Sequence, residues 1–116
     1  MEKYSLENYR EEPDKKVVKR VIYSDQKTLA FVLNIASGES LPPHTHFDCT
    51  VLLQVLAGRG KVIVDGEDVP VKEGDLIQLQ GDEEMSVDST GEETLVLYVT
   101  ISPLPPEERY AVDADL

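Results

Sequence analysis

The chain has 116 residues, of which 41% are hydrophobic, and this length suits one domain with a single buried core. Its formal charge of −12 is unevenly placed, because residues 1–20 are nearly neutral and the acidic excess lies in the remainder. A surface this acidic repels phosphate backbones and anionic lipid headgroups, so neither nucleic acid nor a membrane surface is an expected partner.

Cysteine usage and the first residues of the chain indicate a compartment. Cys49 is the single cysteine, so the chain forms no intrachain disulfide and no cysteine-based zinc cluster. No stretch of the sequence is apolar over the length that crosses a bilayer, and the first residues lack the pattern of a signal peptide. These observations predict a cytoplasmic protein.

Three segments follow one another along the chain. Residues 1–16 are polar and charged and predict an N-terminal arm, whereas residues 102–116 are rich in proline and acids and predict a surface tail. Between them, residues 17–101 alternate short apolar runs with turn residues, which predicts an all-β sandwich or barrel. The predicted strands are Val17–Tyr23, Thr28–Ala36, Val51–Leu56, Lys61–Val64, Val69–Val71, Asp75–Gln80, Met85–Val87 and Thr94–Ile101.

His44 and His46 are the only histidines in the sequence, and one residue separates them. Alternate side chains of a strand point to the same face, so extended backbone here directs both imidazoles the same way. Pro42-Pro43 precedes them and favours extended structure over helix. The pair is therefore a candidate site for one metal ion.

The glycines around this pair carry a resemblance to a known family. Gly38, five residues, His44-Thr45-His46 and then Gly58 resemble the first motif of the cupins, and the segment that begins at Gly74 resembles the start of the second. The resemblance runs over roughly residues 28–101. It implies a double-stranded β-helix, or jelly-roll, barrel with a divalent metal held at its mouth by three histidines and one glutamate.

The match to the family's metal ligands is only partial. His44 and His46 match the first two ligands, but the glutamate position falls on Val51 and the third histidine position falls on Met85. Zinc, iron and nickel sites generally need three or more protein ligands, and valine cannot coordinate a metal. The resemblance therefore implies at most one weakly held divalent ion (Fe, Zn, Ni or Mn), or none.

Two neighbouring residues are candidates for a missing ligand. Asp48 continues the His44, His46 alternation, so a straight strand would form the two-histidine, one-carboxylate set of non-haem iron enzymes. The alternative interpretation makes Asp48 a solvated turn residue, because the family's chain bends after the second histidine. Cys49 offers a thiolate, although a buried and inert thiol is the simpler interpretation.

Three functions are compatible with these residues. The first is a small-molecule-binding or sensor barrel, whose apolar pocket would have the two histidines as its polar groups. The second is a metal-dependent cupin enzyme (a dioxygenase, isomerase or lyase) with His44 and His46 as ligands. The third is metal-free acid–base catalysis by a histidine. The predicted pocket residues, chosen by strand alternation, are Phe31, Leu33, Val51, Leu53, Val55 and Met85.

A homodimer is the expected assembly. The apolar segment Val17–Tyr23 is available to pair with the sheet of a second subunit, and Leu52, Gln54 and Leu56 face outward if Val51 faces inward. The family resemblance points the same way. The alternative is a monomer whose first strand pairs within its own barrel.

Overall fold

The computed structural model describes residues 1–104 and 111–115, and nearly all of its regular structure is β-sheet. One turn of 3-10 helix, Leu6–Tyr9, precedes the first strand. The strands are β1 Val17–Ser24, β2 Leu29–Ile35, β3 Ser40–His44, β4 Thr50–Ala57, β5 Arg59–Val64, β6 Glu67–Lys72, β7 Leu76–Gln80, β8 Met85–Ser89, β9 Leu95–Ser102 and β10 Ala114–Asp115. In this part of the chain, no helix has the length and apolar character needed to cross a membrane.

Two antiparallel sheets pack face to face and enclose the core. The larger has the order β10-β1-β2-β9-β4-β7, and the smaller has the order β3-β8-β5-β6. Non-consecutive neighbours such as β2 with β9 and β5 with β8 show that the chain crosses repeatedly between the sheets. The predicted all-β class is confirmed, and the sheet order is that of a jelly roll.

Strand alternation determines which side chains fill the interior. In β4, Val51, Leu53 and Val55 are buried, whereas Leu52 and Gln54 between them are exposed. One face of this strand is therefore buried and the other is exposed, which is the alternating pattern that predicts a strand from sequence. Strand β2 differs, because all seven of its residues are buried.

The N-terminal arm covers the outer face of β2, which explains that burial. The Asn34 side chain donates a hydrogen bond to the carbonyl oxygen of Tyr9 (3.1 Å), and the backbone N–H of Glu11 donates one to Asn34 Oδ1 (3.0 Å). Because Asn34 is fully buried, these bonds satisfy a polar group that would otherwise destabilise the fold. The arm is part of the packed structure.

Two strands were missed by the sequence analysis. Strand β3 lies at a sheet edge, where the two prolines of its SLPPH sequence are tolerated, and its register with β8 shifts between Leu41 and His44. Strand β10 lies in the segment predicted as a tail. Within that segment, residues 105–110 and 116 lie outside the described residues.

One premise of the dimer prediction is wrong. Strand β1 has no open edge for a neighbouring subunit among the described residues, because it pairs with β2 on one side and with β10 on the other. Arg20 strengthens the second pairing through a 2.6 Å ion pair with Asp115. The edge available for another chain is consequently not β1.

Candidate functional site

The two histidines meet at one end of the barrel. His44 is the last residue of β3, and His46 follows in the loop that leads to β4. Their ring centroids lie 4.7 Å apart, with an angle of 79° between the ring planes. His46 is buried and His44 is half-buried, so the pair lies at the boundary between the interior and solvent. This end of the barrel is called the mouth below.

A tight turn fixes the position of His46. The N–H of His46 donates a hydrogen bond to the carbonyl oxygen of Gly81, and the N–H of Cys49 donates one to the carbonyl oxygen of His46, each at 3.0 Å. A Cβ atom on Gly81 would overlap the His46 carbonyl oxygen. Only glycine therefore allows the loop after β7 to approach the His46 backbone this closely. The sequence analysis did not identify Gly81.

Hydrogen bonding also sets the proton position on His44. Its Nδ1 lies 2.8 Å from the carbonyl oxygen of Pro42, which can only accept a hydrogen bond. Nδ1 therefore carries the proton in the neutral ring, and Nε2 keeps its lone pair. A ring held in this tautomer is oriented to coordinate a metal or to accept a hydrogen bond through Nε2.

Lys19 is a functional candidate that sequence reasoning missed. It lies on β1 opposite Leu33, on the same inner face as Val17 and Val21, and only 9% of it is exposed. Its Nζ lies 4.7 Å from the centroid of the Phe31 ring, within the range of a cation–π interaction. Its alternation with Val17 and Val21 was the available signal, but lysine in a strand is ordinarily assigned to the surface.

Burial and neighbouring charges shift the pKa values of His46 and Lys19. Burial, followed by the charges of His44 and Lys19, lowers the pKa of His46 to about 4, so this ring is neutral at pH 7. Burial lowers the pKa of Lys19 to about 8, and the carboxylate of Asp113 offsets part of that shift. Lys19 is thus mainly protonated at neutral pH.

Asp48 does not join the histidines. It lies in the turn between His46 and Cys49 with a φ of 65°, and its side chain is exposed. The alternation that places the two imidazoles together therefore ends at this turn. The interpretation of Asp48 as a third ligand assumed a straight strand, which the turn interrupts. Cys49 is buried, its thiol donates to the carbonyl oxygen of Pro103 at 3.3 Å, and burial raises its pKa. It is an inert thiol.

The donor set does not fit a firmly held divalent metal. Met85 lies directly opposite His44 across the β3–β8 pair, at the place of the third histidine, and Val51 faces the interior of β4. In residues 1–104 and 111–115, no cluster of three or more His, Cys, Asp or Glu side chains has the geometry of a metal site. Two imidazoles alone are too few ligands to hold such an ion firmly.

The predicted pocket residues all lie in the hydrophobic core. Leu53 and Val55 are almost completely buried, Phe31 lies in the same row as Leu53, and Met85 lies opposite His44 at the mouth. Two cavities, of about 720 and 550 Å³, lie elsewhere, one beside Arg59 and Lys72 and the other beside the N-terminal arm. None of the six predicted pocket residues contributes to either cavity.

Comparisons with known proteins place this fold in a family. The family model of the cupin domain matches residues 31–101, and the chain belongs to the cupin family. No curated protein matches the sequence.

Solved structures agree with this assignment. A conserved double-stranded β-helix protein of Klebsiella pneumoniae has a TM-score of 0.83 at 16% identity, covering 98% of this chain and 96% of its own. A Thermus thermophilus protein has a TM-score of 0.82 at 18% identity, covering 89% and 98%. A Thermotoga maritima protein described as a predicted oxalate decarboxylase has a TM-score of 0.71 at 26% identity, covering 76% and 81%. The double-stranded β-helix prediction is confirmed.

Proposed function

We propose that this cupin is a small-molecule-binding barrel of the binding or sensor type, with a metal site too weak to hold a resident ion. The set of side chains at the mouth is the observation that supports this proposal. His44 and His46 are paired there, but Val51 and Met85 stand where the family's other two ligands would lie. A buried, neutral His46 ring beside an apolar interior suits recognition of a ligand.

A metal-dependent enzyme is the second candidate, and two observations favour it. The imidazoles lie close together, and the hydrogen bond from His44 Nδ1 leaves Nε2 free to coordinate. A bound divalent ion would polarise a substrate oxygen. His44 and His46 would hold such an ion, and the remaining coordination positions would fall to water or substrate.

Metal titration separates the two candidates. Chelator-treated protein is titrated with Zn²⁺ and with Ni²⁺ by calorimetry, for the wild type and for Val51→Glu combined with Met85→His. Because the double variant restores the family's ligand set, we expect it to bind at least about 100-fold more tightly than the wild type. His44→Ala with His46→Ala is the control and should abolish binding at the mouth. Stoichiometric, tight binding by the wild type would favour the enzyme instead.

One structural relative indicates a class of ligand to test. The likeness to a protein described as a predicted oxalate decarboxylase supports a small acid as one class of ligand to be screened. An identity of 26% supports the choice of small acids for the screen, but it does not identify a reaction.

We further propose a homodimer built on the outer face of β4 and β7. Leu52 lies opposite Gln78, and Gln54 lies opposite Leu76, so this face carries no charge although the chain carries −12. Leu52 is 41% exposed and Leu76 is 61% exposed. Strand β7 is the last strand of its sheet, which leaves its outer edge available for pairing. An uncharged face is where two strongly acidic molecules can approach with the least repulsion.

Sedimentation equilibrium at moderate salt tests the dimer. The wild type should give about twice the chain mass of 12.9 kDa. Leu52→Lys combined with Leu76→Lys should give the monomer mass, because lysine resists burial in an interface. Val112→Lys is the matched control, since Val112 is similarly exposed but lies outside this face. A dimer that survives the double change would place the interface elsewhere.

A further inference from the structure

We propose that the cavity of about 720 Å³ beside Arg59 and Lys72 binds a small zwitterion of the amino-acid type, which carries one carboxylate and one ammonium group. This cavity lies outside the barrel interior, at the end away from the mouth, so the inference goes beyond the proposed function and does not depend on it. It is supported by charged side chains of both signs that line the cavity and that, within the described residues, form no ion pair.

Three connections between strands form the walls of this cavity. They are the β4–β5 turn with Gly58 and Arg59, the β6–β7 turn with Lys72 and Glu73, and the β8–β9 loop with Gly91, Glu92 and Glu93. The backbone N–H of Gly91 donates a hydrogen bond to the carbonyl oxygen of Arg59 at 3.3 Å. A Cβ atom at Gly58 would lie only 2.6 Å from the carbonyl oxygen of Thr94, so the β4–β5 turn packs directly on the β8–β9 loop. Backbone packing therefore forms these walls before a ligand binds, as is usual for binding sites.

Two basic side chains lie side by side on one wall. Arg59 and Lys72 are directly opposite each other in the β5–β6 pair, so their side chains share a face of the sheet. Like charges in this arrangement destabilise a sheet unless an opposite charge compensates them. Lys61, on the same face of β5, has two such partners, Asp68 at 3.3 Å and Asp88 at 3.8 Å. Among the described residues, Arg59 and Lys72 have none, so their charges can bind an anionic group.

Another wall of the cavity is acidic. Glu92 and Glu93 lie in the β8–β9 loop, and Glu73 adds a third carboxylate. This loop approaches the basic wall closely, since a Cβ atom at Gly91 would lie 3.4 Å from the Cβ atom of Arg59. Groups of opposite charge therefore line the cavity within the reach of one small molecule, and in the described part of the chain they do not neutralise one another through ion pairs.

The balance of these charges selects the ligand. A simple anion would meet three carboxylates in a chain of net charge −12, and a simple cation would meet two basic groups. A zwitterion suits both walls, because its carboxylate accepts hydrogen bonds from the basic groups while its ammonium group donates to the glutamates. The guanidinium group of Arg59 suits a carboxylate in particular, since its paired N–H groups match the two oxygens. A cavity of about 720 Å³ accommodates a free amino acid or a dipeptide.

Matched peptides test the requirement for both charges. Full-length protein is titrated with glycylglycine, with N-acetylglycylglycine, which lacks the ammonium group, and with glycylglycinamide, which lacks the carboxylate; free glycine repeats the test with a shorter charge separation. Binding is followed by calorimetry and by NMR of the backbone amides. Glycylglycine should shift the resonances of Gly58 and Gly91, and each capped form should bind at least tenfold more weakly. Equal binding of a capped form, no binding of either zwitterion, or shifts confined to Gly81 at the mouth would each overturn the inference.

Variants then locate the two charges. Arg59→Gln removes a positive charge, and Glu92→Gln combined with Glu93→Gln removes the negative charges of the loop; each change should weaken glycylglycine binding at least tenfold. Lys27→Met and Glu67→Gln are the controls, because both side chains are exposed and neither lines the cavity. Thermal unfolding checks that each variant is folded. Glycylglycine binding that is unchanged in Arg59→Gln or in the glutamate variant would overturn the inference, and the peptide comparison tests it without any variant.

Discussion

The two ends of the barrel interior are built on different principles. At the end away from the mouth, Val17, Ile35 and Leu95 lie in one row of paired strands and are almost completely buried and purely aliphatic. At the mouth stand two imidazoles and the flexible side chain of Met85. The aliphatic end provides stability through close packing, whereas the mouth accepts polar groups that do not help folding. Stability and recognition are thus separated along the barrel axis, and substitutions at each end can test this division.

The largest effect is expected from a cavity at the aliphatic end. Leu95→Ala removes a fully buried side chain and should lower the free energy of unfolding by about 2–5 kcal/mol. Urea unfolding should show a lower midpoint with an unchanged slope. Val112→Ala is the control and should change the free energy by less than about 0.5 kcal/mol, because Val112 is 54% exposed and lies outside the proposed dimer face. A loss below 1 kcal/mol in Leu95→Ala would contradict the division.

Gly81 tests whether the mouth depends on backbone packing. Gly81→Ala forces a Cβ atom against the His46 carbonyl oxygen, so we expect a loss of about 1–3 kcal/mol and displaced His46 ring resonances in NMR spectra. Gly91→Ala is the matched control, since a Cβ there meets Arg59 only at an ordinary contact distance of 3.4 Å. Unshifted His46 resonances in Gly81→Ala would show that the turn is not fixed by this contact.

The pH dependence of stability distinguishes the mouth from the aliphatic end. The pKa of His46 is about 4 in the folded protein and about 6.5 when unfolded, so the unfolded chain binds more protons between these values. Stability contributed by neutral His46 is complete above pH 6.5 and is lost as the pH falls towards 4. After allowance for solvent screening, the loss is about 1–2 kcal/mol.

His46→Gln provides the measurement for this prediction. The difference in unfolding free energy between wild type and variant, measured by urea unfolding of metal-free protein from pH 4 to 7, should fall with decreasing pH. Carboxylates titrate in the same range, but they are common to both proteins and cancel in the difference. A difference that does not vary with pH would mean that His46 keeps an ordinary pKa.

The smallest effect concerns one polar atom at the aliphatic end. Ser89 is 2% exposed, and in the described part of the chain its hydroxyl has no hydrogen-bond partner. Ser89→Ala should raise the free energy of unfolding by about 1 kcal/mol or less, because it removes an unsatisfied buried group. Ser86→Ala, on the other face of β8, should be neutral. Destabilisation by Ser89→Ala would reveal a polar role at this end too.

Alternation in the sequence predicted most of the barrel, because strands with one buried face repeat every second residue. The same rule assigned Val51, Leu53 and Val55 to the interior and brought the histidines together. It failed at Asp48, where a left-handed turn ends the alternation. It also put Lys19 on the inner face with Val17 and Val21, but lysine is ordinarily assigned to the surface, and the contact with Phe31 on β2 is not visible in a local pattern. Such contacts depend on tertiary structure, which local patterns do not contain.

Val51 and Met85 have a consequence for alignments of related sequences. Each stands where the resemblance to the cupin motifs places a metal ligand, and a site that has lost one ligand gains little from keeping the other. Relatives with glutamate at the position of Val51 should therefore carry histidine at that of Met85. Relatives with an apolar residue at position 51 should vary at position 85. The two pairings would divide the family into metal-loaded and metal-free branches, recognisable from two positions of an alignment.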